Sequence, residues 1–203
     1  MSLLFILAGY LFGSLPSGYL LVRWKEKKDI RSLGSRSTGA TNVLRAAGWA
    51  AALPVLAVDA AKGFLPVVLG ARWFPEQPLV PLAASLAAVA GHCYPVTLRF
   101  RGGKGVASAL GAFAGMGIFP GLLCLAVFAS VIALTRYVSL GSLLAVSSFP
   151  LFRLALGARD GPWTWAWWGA ILAVVVLRHK DNIGRLFRGE ERKFGRTDRE
   201  RRS

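Results

Sequence analysis

The chain has 203 residues, is 54% hydrophobic and 17% charged, and carries a net charge of +15, with a mean hydropathy of +0.49. That composition excludes an ordinary soluble domain. The basic excess lies in loops and in the tail beside apolar blocks, which argues for contact with anionic lipid and against a nucleic-acid partner.

Apolar blocks near 20 residues predict membrane-spanning helices in chain order. The first runs from about Leu3 to Val22 and is broken near its end by Gly13-Ser14-Leu15-Pro16-Ser17-Gly18. It lacks a basic leader and an Ala-x-Ala exit, so it is read as a retained span. The second runs from about Trp49 to Ala71 and carries Asp59 and Lys62, three residues apart on one helix face. The third runs from about Leu79 to Leu98 and carries His92. Between Gly105 and Leu134, two short spans hinged at Pro120 are expected, because proline stops or kinks a helix. The sixth covers about Leu140 to Leu156. The seventh covers Trp163 to Leu177, where Trp163, Trp165, Trp167 and Trp168 read as an interfacial belt.

The fold class is therefore an all-α integral membrane protein, a bundle of seven transmembrane helices, some short or broken. Residues 1–203 form one domain, with 195–203 a flexible basic cytoplasmic tail. Of the 25 basic residues, 21 fall on one side of this bundle and three on the other, with Lys62 between them. That asymmetry places the N-terminus outside and the C-terminus and both glycine-bearing loops in the cytoplasm. Five spans are the alternative, if two short segments are re-entrant. Cys93 and Cys124 lack metal-like spacing and read as small buried hydrophobes.

Two loops carry the chemistry. Arg99-Phe100-Arg101-Gly102-Gly103-Lys104-Gly105 lies between two apolar stretches. Gly102, Gly103 and Gly105 let backbone N–H groups crowd around an anion, and Lys104 adds a point charge. The bland reading is a flexible turn with a positive-inside lysine. The loop lacks the Gly-x4-Gly-Lys-Ser/Thr spacing of a nucleotide-binding loop. The second loop, Gly34 to Arg45, offers Ser35, Ser37, Thr38, Thr41 and Asn42 as hydrogen-bonding groups and Arg36 and Arg45 as cations. Arg45 can fork onto a phosphate, and small hydroxyls can bind a developing oxyanion. The bland reading is a cytoplasmic loop whose Thr41 or Asn42 caps the next helix.

Other candidates are weighed the same way. Asp59 and Lys62 are either a functional charge pair or an intrahelical pair that neutralises itself. His92 is as readily a packing histidine as a catalytic one. His179, at the end of the seventh span, can serve as base or anion ligand, with Asn182 nearby; the bland reading is a basic tail lying on anionic lipid. Ser139 and Ser142 flank Gly141 and can add hydroxyls at the same surface. No Gly-x-Ser-x-Gly elbow occurs, so a serine-hydrolase triad is not indicated. Neither histidine is followed five residues later by aspartate; those positions are Thr97 and Gly184. No cysteine and histidine cluster suggests a metal.

In order, Gly13 to Gly18, Gly34 to Arg45, Asp59-Ala60-Ala61-Lys62-Gly63, Gly91-His92, Gly102 to Ala107, Tyr137 to Ser142 and His179 to Asn182 resemble the bacterial acyl-phosphate:glycerol-3-phosphate acyltransferase family. The likeness runs over nearly the whole chain. It implies a seven-helix bundle in the bacterial inner membrane, with the active site facing the cytoplasm. It implies transfer of an acyl group from acyl phosphate to the 1-hydroxyl of glycerol 3-phosphate, without a cofactor. The products are lysophosphatidate and phosphate, the first acylation step of phospholipid synthesis. The chain departs from the family's first-loop pattern, Gly-Ser-Gly-Asn-x-Gly-Ala-Thr-Asn: Arg36 stands for the second glycine and Ser37 for the first asparagine.

On that resemblance the catalytic residues are Ser35, Lys104 and His179. The substrate-binding residues are Thr41, Asn42, Arg45, Gly102, Gly103, Gly105, Ser142 and Asn182. Either His179 or the substrate's own phosphate removes the proton. The partners are glycerol 3-phosphate, acyl phosphate and membrane lipid. The rival reading from another class is a transporter of a small organic phosphate, which would use the same cationic loops. Inverted repeats would favour it, and none is convincing. A non-catalytic scaffold gathering anionic lipid leaves the two glycine-bearing loops unexplained.

Overall fold

The structure, a computed structural model, describes residues 1–195; the basic tail expected from 195 to 203 lies, beyond Gly195, outside the described residues. The described residues are helical, with one isolated bridge between Tyr137 and Lys193. Helices α1 (Ser2–Gly13) and α2 (Ser17–Glu26) form a broken first segment. Pro16 begins the second piece, since it has no N–H to continue the ladder of the first. The short α3 (Ala40–Ala47) leads into α4 (Trp49–Trp73), and α5 (Leu79–Cys93) returns beside it.

Helices α6 (Val106–Met116) and α7 (Ile118–Thr135) follow. The hinge expected at Pro120 lies instead at Gly117, which ends α6 and begins α7. Pro120 falls in the first turn of α7, where a proline replaces no intrahelical hydrogen bond. Helices α8 (Val138–Ser147) and α9 (Phe149–Ala155) are bent by 41° relative to each other. Helices α10 (Pro162–Arg178) and α11 (Lys180–Phe187) complete the described chain.

Four segments are long and apolar enough to cross a membrane: Ser2–Glu26, Trp49–Trp73, Leu79–Leu98 and Ile118–Thr135. The bent α8–α9 pair makes up to five. Helices α6 and α10, with 11 and 17 residues, are shorter. Large apolar side chains point outward along these segments, among them Leu7, Leu11, Leu53, Phe119 and Leu122. A surface of that kind suits lipid rather than water.

The bundle core is aromatic. Phe113 stacks on Phe149 with ring centroids 4.1 Å apart, and Trp167 meets both edge-on. Trp167 is buried, and its indole N–H donates to Ser85 at 3.0 Å. Trp168 donates to the Val146 carbonyl. The four tryptophans of the last segment are therefore not one interfacial belt. Trp163 is exposed, whereas Trp167 fills the core and satisfies its N–H there. Helices α4 and α6 lie close because Gly63 faces the Ser108 backbone and Gly111 faces that of Ala60. Cys93 and Cys124 are both buried and unlinked.

This up-and-down path brings the polar segments to one end. Residues 34–45, the turn before α6, the start of α8, and α11 with the segment after it converge there. At the opposite end Arg153 and Asp160 neutralise each other in a two-pronged pair at 2.6 and 2.7 Å.

Candidate active site

The converging segments enclose a cleft of about 150 Å³. Its wall includes Ser35, Thr41, Asn42, Arg45, Lys104, Gly105, Ser142, His179 and Asn182. Residues from Ser35 to Arg192, separated by as much as 157 positions in the sequence, thus share one wall. Leu56, Val106, Leu110, Leu125 and Phe128 also line the cleft, and Leu56 and Leu125 are exposed on the outer surface of the bundle. The cleft therefore has a polar, cationic part and an apolar wall that reaches the outer surface. A larger cavity of about 870 Å³ adjoins it, shares Asn42, Arg45, Glu191 and Arg192, and adds Lys28 and Lys193 to its rim.

The first loop is built around Asn42. This buried side chain accepts from the backbone N–H of Ser35 at 3.0 Å. Its amide nitrogen donates to the carbonyls of Ser37 at 2.8 Å and Leu33 at 3.0 Å, with Ile30 at 3.3 Å. Its hydrogen-bonding capacity is therefore spent inside the loop, which it organises from within. Gly34, at φ +53°, lets the turn pass over the Asn42 amide. Arg36 also takes a left-handed conformation, at φ +58°, which costs an L-residue with a side chain about 1–2 kcal/mol. Ser37 accepts from the Gly39 N–H at 3.3 Å and so closes the turn with its hydroxyl. Ser35, Thr41 and Arg45 are left facing the cleft from this frame.

The second loop is folded differently. Gly102 and Gly103 are buried behind Lys104 and are not on the cleft wall. Their N–H groups donate to the carbonyls of Cys93 at 3.2 Å and His92 at 2.9 Å. Their carbonyls accept from Arg178 at 3.1 and 3.0 Å. The backbone polar groups of these two glycines are thus committed to the fold. Glycine is required because a Cβ at Gly103 would strike the His92 ring and one at Gly102 the His92 carbonyl and Pro95.

Lys104 reaches across the mouth and donates to Asn182 Oδ1 at 2.6 Å. Asn182 Nδ2 donates in turn to Glu191 Oε1 at 2.6 Å. Ser139 donates to the same oxygen at 3.0 Å, and Arg185 Nε donates to Oε2 at 2.8 Å. Glu191 carries no role in the sequence reading, yet it ties α8, α11 and the segment after α11 together. Its signal was slight: an acidic residue in a basic tail, six residues after an arginine. Burial opposes its charge, but hydrogen bonds from Asn182, Arg185 and Ser139 hold its carboxyl below the usual range.

Burial lowers Lys104 to about 8; Glu191 opposes the shift, while Arg185, Arg45 and Arg178 add to it. His179 is pushed down to about 4 by burial first and then by the Lys104 charge. Its Nδ1 lies 2.8 Å from the Val175 carbonyl. A carbonyl only accepts, so Nδ1 carries the proton and Nε2 keeps a lone pair. Ser142 donates to the Val138 carbonyl at 2.8 Å, which leaves its oxygen free to accept a further bond.

The arrangement offers cations for phosphate, hydroxyls, a neutral imidazole and an apolar wall at one place. A family model described as glycerol-3-phosphate acyltransferase matches residues 3–189. A glycerol-3-phosphate acyltransferase of Synechococcus sp. (strain CC9902) is 45% identical over 195 residues, covering 96% of each chain. The crystal structure of PlsY (YgiH), an integral membrane glycerol 3-phosphate acyltransferase in its glycerol 3-phosphate form, superposes with a TM-score of 0.90 at 36% identity. That match covers 96% of each chain. The lysphosphatidic acid form of the same enzyme superposes with a TM-score of 0.86 at 36% identity, covering 96% of this chain and 95% of that one. The chain is a multi-pass membrane protein and belongs to the glycerol-3-phosphate acyltransferase family.

Proposed function

We propose that the cleft between the two glycine-bearing loops is where this glycerol-3-phosphate acyltransferase takes an acyl group from acyl phosphate and passes it to the 1-hydroxyl of glycerol 3-phosphate. The observation that carries this reading is a polar, cationic cleft continuous with an apolar wall that reaches the outer surface of the bundle. Two phosphorylated substrates, one of them with a fatty chain, need both. Arg45 and Lys104 hold the phosphates, and the chain lies among Leu56, Leu110, Leu125 and Phe128.

The hydroxyl oxygen of glycerol 3-phosphate attacks the acyl carbonyl carbon. The carbonyl oxygen takes the negative charge, and Ser35 and Thr41 donate to it. The intermediate collapses, the bond from the acyl carbon to the phosphate oxygen breaks, and inorganic phosphate leaves. The attacking hydroxyl gives up one proton, to His179 Nε2 or to the departing phosphate. His179 enters neutral and able to accept it. Because phosphate is already a good leaving group, catalysis is chiefly positioning and oxyanion stabilisation. Asn182 orients Lys104, and Glu191 orients Asn182. Asn42 acts on the site through the loop it organises, and Gly102, Gly103 and Gly105 act through the direction they give Lys104.

In this reading residues 1–203 form one domain of seven transmembrane segments, counting α6 and α10. The N-terminus is external, and the cleft opens to the cytoplasm of a bacterium through its inner membrane. The grouping of basic residues at the cleft end supports that orientation. The test supplies purified protein in lipid with labelled glycerol 3-phosphate and, separately, palmitoyl phosphate, palmitoyl-CoA and acylated carrier protein. Labelled lysophosphatidate from palmitoyl phosphate alone is expected. Product from either other donor alone would refute the donor assignment, and no product from folded protein would refute the reading.

A further inference from the structure

The charged pair within α4 has more contacts than self-neutralisation requires. Lys62 and Asp59 are both 1% exposed. Lys62 donates to Asp59 Oδ1 at 2.6 Å, to the Leu15 carbonyl at 2.7 Å and to Ser17 at 3.1 Å. The Leu15 carbonyl lies in the break of the first segment and also accepts the Ser17 N–H at 3.0 Å, so Lys62 adds a second bond there. Ser17 in turn donates to Asp59 Oδ1 at 2.7 Å. On its other side Asp59 Oδ1 lies 3.5 Å from His92 Nδ1.

His92 is also the seat of the second loop. Its carbonyl accepts the Gly103 N–H at 2.9 Å, and its ring packs by Nε2 against the bare face of Gly103. Gly103 immediately precedes Lys104. A contiguous path therefore runs from the break in the first segment through Lys62, Asp59 and His92 to the backbone that launches Lys104. Asp59 and His92 themselves reach the cleft wall. A buried ion pair is weak evidence for stability, because desolvation offsets the attraction; fixing one geometry is its better-attested use.

We propose that Asp59, paired with Lys62, is a positioning residue for glycerol 3-phosphate binding: it fixes the His92 ring, and the ring fixes Gly103 and so the direction in which Lys104 enters the cleft. The proposal rests on the acyltransferase reading and adds residues outside the two loops to its binding machinery.

The test measures KM for glycerol 3-phosphate and kcat at saturating acyl phosphate. His92→Phe keeps a ring on Gly103 but loses the contact to Asp59. Asp59→Asn combined with Lys62→Met removes both charges together, so neither is left buried alone. Each is expected to raise KM about 10-fold with kcat within about 2-fold, the pattern of lost ground-state binding. In a Lys104→Ala background neither should raise KM further, because residues acting through one group are not additive. Ser17→Ala, which removes the two hydroxyl contacts to Asp59 and Lys62 and no charge, is the mild variant should the others not fold; it is expected to raise KM about 2–3-fold by the same logic. A merely structural role would lower thermal stability and leave KM of the folded protein unchanged.

Unchanged KM in these folded variants, or a KM increase that persists in full without Lys104, overturns the proposal while the acyltransferase reading stands. No transfer by the wild type overturns both.

Discussion

The two glycine-bearing loops look alike in sequence and are built on opposite plans. The first wraps around a side chain, with Asn42 at its centre bonding Ser35, Ser37 and Leu33. It turns small hydroxyls and one arginine toward the cleft. The second is clamped from outside, by His92 and Arg178 on the backbone of Gly102 and Gly103, and presents one lysine. The comparison teaches that neither works mainly as a nest of bare backbone N–H groups. In both, the glycines permit a tight scaffold from which side chains face the cleft. In the proposed reading the first loop supplies the hydroxyls of the reacting centre and one phosphate ligand, Arg45, and the second supplies the other phosphate ligand, Lys104.

The largest effect expected from that division is at Asn42. Asn42→Ala removes the centre of the first loop and strands its buried partners, at a cost of about 2–3 kcal/mol in stability. Ser35 and Thr41 lose their frame, so kcat should fall about 100-fold, as for loss of an oxyanion donor. Thermal melting and steady-state kinetics on the same preparation check both, and a normal kcat would break the comparison.

Lys104→Ala comes next and should act on the other parameter. KM for glycerol 3-phosphate is expected to rise about 10- to 100-fold, with a smaller change in kcat, as for lost uniform binding. A normal KM with unchanged turnover would remove Lys104 from the site.

A pH series sharpens the same point. Lys104, lowered to about 8, is cationic below that pH and neutral above it. KM for the anionic acceptor should therefore climb as pH rises through 8, by about 10-fold per unit well above it if the charge is essential. Lys104→Arg remains charged across this range and should flatten that limb. Because the substrate phosphate titrates identically with both proteins, the ratio of their KM values isolates the lysine.

The smallest effect is at Arg36. Its left-handed backbone makes Arg36→Gly stabilising, by about 1 kcal/mol, with kinetics unchanged. A loss of stability on that change would mean the guanidinium holds the loop more strongly than its conformation strains it.

Much of this was legible in the sequence, because apolar block length and the placement of lysine and arginine are read directly. The break before Pro16, the shared face of Asp59 and Lys62, and the convergence of Ser35, Arg45, Lys104, Ser142, His179 and Asn182 all follow from motifs and their order. What was hidden depends on partners that only the fold supplies. Asn42 and Ser35 look equivalent as polar loop residues, but one faces inward. Trp163 and Trp167 lie four residues apart on one helix face, yet Trp163, in the first turn of α10, is exposed and Trp167, one turn further on, is in the core. Gly102 and Gly103 resemble an anion cradle until His92, ten residues earlier, takes their space. Glu191 seems a solvated tail residue until Asn182, Arg185 and Ser139 close on it.

The central claim is that both loops hold glycerol 3-phosphate in one cleft, and equilibrium binding of the labelled compound tests it most directly. Wild type, Arg45→Ala and Lys104→Ala would be compared in lipid, with folding checked by thermal melting. Saturable binding by wild type is expected, weakened at least about 10-fold in each variant, as for loss of a charge-assisted phosphate contact. Wild-type affinity in both folded variants would contradict the account.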